Sequence, residues 1–195
     1  MDLINLDLHI PFDVTLDVEP SIIDATNNAG HGDERWRMLW HDPMRSQHLD
    51  DTKAVVESLQ SNCRNLLLVG IGGSSLGAKA LHNALAIQSD DVPNFFVLDT
   101  IDPHTVLGTI ECIRSDDPSF EQTVVVVVSK SGETAEISAL SMVIKSAMPN
   151  ATFVAVTGES GTLRRIATQN NWKSLPIPEG VGGRFSVLSP VGLFP

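Results

Sequence analysis

The hydrophobic residues of this chain follow two alternating patterns from about residue 51 onward. Short apolar runs with no polar alternation, such as Leu66–Val69 and the valines of 123–128, are typical of strands covered on both faces. Between them, apolar residues recur every three or four positions, as at Val55, Leu59 and Cys63, which is typical of helices that pack by one face. Strands are predicted at 66–69, 94–100, 123–128, 152–158 and 174–178, and helices at 55–63, 76–85, 134–147 and 163–169.

This alternation of strands and helices predicts the fold class. Successive strands joined through a helix are connected by crossovers, which favour parallel strands with helices on both faces of the sheet. The expected fold is α/β: a three-layer αβα sandwich with a mainly parallel, doubly wound sheet of the flavodoxin-like type. Segment 174–178 is expected to be a short edge strand.

The chain is predicted to contain one such domain, preceded by a less regular segment. Residues 1–48 are mixed in pattern and are expected to form an N-terminal extension that packs on the domain, which spans 49–195. Within the extension, the alternating residues of 6–10 are a candidate edge strand, and Trp36 and Trp40 are candidate packing residues at helical spacing. With 195 residues and 42% apolar content, the chain is long enough to bury a core.

The charge and composition of the chain exclude some classes of binding partner. The formal net charge of −11 argues against nucleic acid or an anionic membrane surface, because either would require a cationic face. No stretch approaches the length of a membrane-spanning helix, and the N-terminus lacks the basic region of a signal peptide. Cys63 and Cys112 are read as reduced thiols, and the six histidines fit no metal-ligand pattern. A cytoplasmic protein without a metal or other cofactor is expected.

A glycine-rich loop follows the first predicted strand. The sequence GIGGSSLG at 70–77 stands where a strand gives way to a helix, a place where backbone N–H groups and the helix dipole favour anions. A dinucleotide fingerprint would require glycine where Ser75 stands, and a phosphate-binding loop of the nucleotide triphosphatase type would require lysine where Ala78 stands. Since such a turn can also serve packing alone, this loop carries no assignment by itself.

A second loop, SKSGETAE at 129–136, strengthens the case for an anion. Three hydroxyls and a lysine precede the predicted helix: Ser129, Lys130, Ser131 and Thr134. The alternative is ordinary N-capping by Ser131 with a carboxylate in the first turn. Capping requires one hydroxyl, whereas a phosphate monoester has three acceptor oxygens and uses several donors. The two loops together predict a phosphate site.

A third segment, GVGGRFSVLSP at 180–190, contains one arginine among glycines. Gly182 and Gly183 precede Arg184 and would let its guanidinium approach a ligand without neighbouring bulk. The alternative is a surface turn with a solvated arginine.

Taken together, GIGGSSLGAKAL, VVSKSGETAE and GGRFSVLSPVGL resemble, in order and spacing, segments of the glucose-6-phosphate isomerase family of the sugar isomerase domain superfamily. The resemblance covers roughly residues 36–195. It implies reversible aldose–ketose isomerisation of glucose 6-phosphate and fructose 6-phosphate through a cis-enediol, without a metal or redox cofactor. It also implies a homodimer for the full-length enzyme.

The resemblance further implies roles for particular residues. One position differs from the family pattern: threonine is common where this chain has Ser131, and the hydroxyl is retained. By this resemblance, Gly73 and Ser74 line the sugar-phosphate site, Ser129, Lys130, Ser131 and Thr134 hold the phosphate, and Arg184 stabilises negative charge on the enediolate.

Some features of the family have no counterpart here. Its catalytic base is a glutamate well beyond the arginine segment, and its ring-opening histidine and a later lysine cannot be placed either. The sequence stops in an apolar run at Pro195, so an N-terminal part of a longer enzyme, with little activity alone, is expected. Two alternatives stay open, a non-catalytic sugar-phosphate-binding module or regulator and another isomerase of the superfamily. The Arg184 segment argues against both.

Overall fold

A computed structural model describes residues 20–21, 35–37, 39, 45–85 and 92–195 of the chain. The candidate strand at 6–10 and the candidate packing residue Trp40 lie outside these residues.

From residue 45 onward, five strands and six α-helices follow one another along the described chain. The strands are β1 (Asn65–Val69), β2 (Asn94–Leu98), β3 (Thr123–Ser129), β4 (Thr152–Thr157) and β5 (Lys173–Pro176). The α-helices are α1 (Arg45–Glu57), α2 (Leu76–Leu85), α3 (Pro103–Asp116), α4 (Ala135–Ala147), α5 (Thr162–Gln169) and α6 (Pro190–Leu193). Short 3₁₀ turns occupy Gln60–Asn62, Gly72–Ser74 and Gly183–Leu188.

The five strands form one parallel sheet in the order β2-β1-β3-β4-β5. This order is that of a doubly wound flavodoxin-like sheet, so the predicted fold class is confirmed, with β5 at an edge as expected. The strand order reverses between β1 and β3. Ligands of such sheets bind beyond the carboxyl ends of the strands at this reversal. The glycine-rich loop 70–77 (the glycine loop) and loop 129–136 (the hydroxyl loop) both lie there.

Helices cover both faces of the sheet. One core contains residues of α3, α4 and α5, and the other contains residues of α2 and α6 with partly buried residues of α1. The valines of β3 divide between them, with Val125 and Val127 in the first core and Val124, Val126 and Val128 in the second. Burial on both faces explains why this strand shows no polar alternation.

Helix α3 was not predicted from the spacing of apolar residues, although it contributes Val106, Ile110 and Ile113 to the core. Its start is marked by capping instead. Asp102 accepts a hydrogen bond from the Thr105 backbone N–H at 2.8 Å, and a proline occupies the first helical position.

The extent predicted for the first helix was wrong. Helix α1 ends at Glu57, and Leu59 and Cys63 follow it in turns, although both side chains still pack against the second core. Among the described helices, none has the length and apolar character that crossing a membrane requires.

Candidate functional site

A cavity of about 370 Å³ opens at the carboxyl ends of β1 and β3, where the strand order reverses. It brings together five of the seven residues that the sequence analysis singled out. Four more, Gly183 and three aliphatic residues, complete its lining. The lining consists of Ile71, Ser74, Val128, Ser129, Lys130, Ser131, Thr134, Ile137 and Gly183.

The glycine loop is shaped by its own backbone and by the arginine segment. Gly72 adopts φ +60°, a conformation that favours glycine, and the buried Ser75 hydroxyl donates to the Gly72 carbonyl at 3.3 Å. A Cβ on Gly73 would lie 2.2 Å from the Gly183 carbonyl oxygen and 2.8 Å from the Arg184 nitrogen. Gly73 therefore allows two loops to touch, and it is Ser74 that reaches the cavity.

The hydroxyl loop turns sharply after β3. The Ser129 hydroxyl accepts a hydrogen bond from the Gly132 backbone N–H at 3.1 Å, and Gly132 adopts φ +68°. The same hydroxyl lies 3.2 Å from the Thr134 hydroxyl, so the two oxygens face one another across the loop. Both residues line the cavity.

The start of α4 has no side-chain cap. Thr134 occupies the N-cap position, but its hydroxyl does not bond to the helix backbone, and the Ser131 hydroxyl accepts from the Glu133 backbone N–H at 3.1 Å instead. The interpretation of Ser131 as a helix cap is therefore wrong. The first N–H groups of this 13-residue helix are left for another acceptor, and the helix dipole favours an anion there.

Lys130 lies at the rim between two cavities. Besides the cavity at the strand reversal, it lines a neighbouring one of about 530 Å³ near the ends of β4 and β5. Its carbonyl oxygen accepts from the Gly158 backbone N–H at 3.2 Å, which ties the loop to the end of β4.

The Arg184 side chain does not line the cavity, although the neighbouring Gly183 does. Its guanidinium carbon lies 6.0 Å from the ring centroid of Phe185. That ring stacks on Trp36, with centroids 4.1 Å apart and planes 10° from parallel, so Trp36 packs as predicted. The guanidinium carbon of Arg37 lies over the Trp36 ring, 5.4 Å from its centroid.

The electrostatics of the cavity suit an anion. No carboxylate of the described residues lines it, while four hydroxyls and one lysine do. Ile71, Val128, Ile137 and Gly183 were not predicted as lining residues. The three aliphatic residues carry the same apolar signal as the core, and position next to the loops is the only sequence feature that distinguishes them.

In the described ranges, no three acidic, histidine or cysteine residues cluster as metal ligands would.

Comparison with known proteins identifies the family. The family model described as Phosphoglucose isomerase matches residues 46–195, which include all three loops. The chain belongs to the phosphoglucose isomerase family.

Individual members of the phosphoglucose isomerase family agree with this. A protein of Haloarcula marismortui named "Probable glucose-6-phosphate isomerase" is 43% identical over 69% of this chain and 30% of its own length. Glucose-6-phosphate isomerase of Rubrobacter xylanophilus is 38% identical over 78% of this chain and 38% of its own length. A glucose-6-phosphate isomerase from Chlamydia trachomatis, known from its crystal structure, is 32% identical in sequence to this chain. The match covers 74% of this chain and 28% of that one, with a TM-score of 0.61. The chain thus spans about a third of the length of these relatives.

Proposed function

We propose that this chain forms the phosphate-binding part of a glucose-6-phosphate isomerase and that the whole protein interconverts glucose 6-phosphate and fructose 6-phosphate. The observation that carries the proposal is the convergence of Ser74, Ser129, Ser131 and Thr134 on one cavity beside an uncapped helix start. A phosphate dianion has the acceptor oxygens that these donors require.

In this proposal the phosphate fixes the position of the sugar. Hydroxyl donors and the N–H groups at the start of α4 bind the dianion, and Lys130 adds a cation at the rim. Binding energy gained at the phosphate, which takes no part in the reaction, holds the C1–C2 end in reacting geometry.

The proposed reaction moves one proton between two carbons. A base removes the C2 proton of the aldose, the C1=C2 double bond forms, and negative charge falls on the former carbonyl oxygen O1. Transfer of a proton from O2 to O1 and return of the carbon-bound proton to C1 give the ketose. Arg184 is proposed to face the oxyanion of this enediolate, where one such donor contributes about 3–4 kcal/mol to the lowering of the barrier.

The proposed reaction requires a base that takes the C2 proton, and the family resemblance implies a carboxylate for this role. Because none of the described residues contributes a carboxylate to the lining of the cavity, the 195-residue chain alone is expected to show little or no isomerase activity. A coupled assay that follows glucose 6-phosphate formed from fructose 6-phosphate measures this directly. Robust turnover by the chain alone would contradict the proposal.

Binding is tested separately from turnover. Addition of fructose 6-phosphate to the ¹⁵N-labelled chain should shift the backbone amide signals of Ser74 and of 129–134 with saturation, and fructose without phosphate should not. Thr134→Val should weaken binding about fivefold or more, because a hydrogen bond to a charged group is lost. Thr152→Val, the same change at the exposed opposite end of β4, is the matched control. Equal effects of the two variants would reject the site.

The missing carboxylate also favours a second candidate, a sugar-phosphate-binding module without catalysis. A hydroxamate analogue that mimics the planar, charged enediolate distinguishes the two functions. An isomerase site should bind it more tightly than fructose 6-phosphate and lose that preference in Arg184→Met. A binding module should show no preference.

A homodimer is part of the isomerase proposal, and light scattering of the whole protein tests it.

A further inference from the structure

We propose that Glu133 is a positioning residue of the hydroxyl loop, in that its carboxylate caps α5 and thereby holds residues 129–134 in their binding conformation. This inference rests on the proposed phosphate site. The Glu133 carboxylate accepts a hydrogen bond from the Thr162 backbone N–H at 2.6 Å and a second from the Thr162 hydroxyl at 3.0 Å. The two residues are 29 positions apart, so the contact joins two separate loops.

Helix α5 depends on this contact because its own N-cap residue has no side chain. Gly161 occupies the N-cap position with φ +101° and makes no side-chain cap. A Cβ on Gly161 would lie 2.4 Å from the Ser131 carbonyl oxygen, so glycine is required for the two loops to meet. The capping acceptor for the first turn is therefore supplied by Glu133 from the other loop.

Two backbone hydrogen bonds share the same junction. The Leu163 N–H donates to the Gly132 carbonyl at 3.1 Å, and the Gly158 N–H donates to the Lys130 carbonyl at 3.2 Å. The cap and these bonds join residues 130, 132 and 133 to the segment after β4. The loop whose hydroxyls line the cavity is thus attached along its length to one neighbouring segment.

The contact also explains how an acidic residue is tolerated beside an anion site. The carboxylate is directed to the start of α5, where the helix dipole favours negative charge, and it does not line the cavity. Hydrogen bonds from the Thr162 hydroxyl and backbone hold the pKa of Glu133 below its usual range, so the group is ionised at neutral pH.

The experiment compares three variants of the full 195-residue chain. Glu133→Ala removes both acceptors, whereas Glu133→Gln keeps an acceptor for the Thr162 N–H and a partner for its hydroxyl. Glu136→Ala is the matched control, since it removes the same charge from an exposed site in the first turn of α4. Inorganic phosphate affinity is measured by calorimetry, and amide hydrogen exchange of Gly132, Thr162 and Leu163 is measured by NMR.

Glu133→Ala is expected to lose phosphate affinity and amide protection, and Glu133→Gln is expected to retain both. Relative to Glu136→Ala, phosphate affinity should fall about fivefold, and exchange of the three amides should rise by a similar factor, as for loss of an ordinary helix cap. Glu133→Gln should exchange like the wild type and bind phosphate at least as tightly. If Glu133→Ala does not fold, Thr162→Val, which removes one of the two donors, should show about a twofold rise in exchange.

The proposal is overturned if the three amides exchange in Glu133→Ala as they do in Glu136→Ala. It is also overturned if exchange rises while phosphate affinity stays unchanged, because the contact would then stabilise the loop without positioning it. Failure of the phosphate site itself has a different signature: the wild-type chain would not bind phosphate. In that event the site proposal fails, and with it the positioning role, whatever the exchange rates show about the cap.

Discussion

Substitution of Gly73 by alanine is the most direct test of how the glycine loop meets the arginine segment. The new Cβ would lie 2.2 Å from the Gly183 carbonyl oxygen and 2.4 Å from its carbonyl carbon, both backbone atoms. Ordinary contacts are 3.4 Å or longer, so the two backbones must separate by about 1 Å, since no side chain can rotate to make room.

The expected cost follows from this geometry. Overpacking of a well-packed site costs about 1–3 kcal/mol, and a clash between backbones belongs at the upper end. For a chain of this length, each kcal/mol lowers the unfolding midpoint by about 2–4 °C, so a cost of about 2–3 kcal/mol in Gly73→Ala should lower it by roughly 4–12 °C.

Another glycine gives a control of opposite sign. Gly108 lies within α3, and a Cβ there would meet nothing within 4 Å, so Gly108→Ala should raise the free energy of unfolding by about 0.5–1 kcal/mol. Both variants are compared by circular dichroism during thermal and urea unfolding. If Gly73→Ala is as stable as the wild type, the close approach of the two loops is refuted.

Three further predictions concern charge and chemistry. Because the folded-state pKa of Glu133 is lowered, its stabilising contribution is present above the unfolded value of about 4.3 and is lost as pH falls through the folded value. The stability difference between the wild type and Glu133→Ala should therefore shrink in urea titrations below about pH 4.5, and a constant difference would contradict the assignment. Burial raises the pKa of the Cys63 thiol to about 11, so only about one part in a thousand is thiolate at pH 8. Aromatic disulfide reagents should modify the exposed Cys112 first, and Cys112→Ser should abolish the fast phase. The Arg164 guanidinium donates hydrogen bonds to the Gly158 carbonyl at 2.9 Å, the Thr157 carbonyl at 3.1 Å and the Ser174 hydroxyl at 2.5 Å. Arg164→Met should therefore lower the free energy of unfolding by about 2 kcal/mol. Arg164→Lys should recover only part of that free energy in the same urea titrations.

Much of the fold could be predicted because buried segments are apolar at the positions that face the core. The valines of 123–128 are apolar at every position since both faces of β3 are covered, and this run was identified as a strand. The fold class followed from the alternation of strands and helices, whereas which strands are neighbours is a tertiary property that local periodicity does not record. Helix α3 was missed because its capping signal at Asp102 lies outside the apolar spacing.

The candidate site was predictable to the extent that its residues are adjacent in sequence. Three of its hydroxyls occupy a six-residue stretch, and their side chains meet at one cavity. The contact between Glu133 and Thr162 was not predictable, because it depends on how two loops approach each other in the folded chain. The role of Gly73 was not predictable for the same reason, because it lacks a side chain so that the backbone at Gly183 can pack against it.

In the proposed isomerase site, two partners would compete for the Arg184 guanidinium: the Phe185 ring and the oxyanion of the enediolate. Against Phe185, 6.0 Å from the ring centroid, an exposed cation gains about 0.5–1 kcal/mol. A hydrogen bond between a cation and an anionic oxygen contributes about 1.5–3 kcal/mol, more than the ring contact that it would replace. The residue before it, Gly183, lines the cavity and leaves space on that side. In the proposed isomerase site, the Arg184 guanidinium, held weakly on an aromatic ring, is therefore expected to turn toward a bound sugar phosphate when negative charge develops on it.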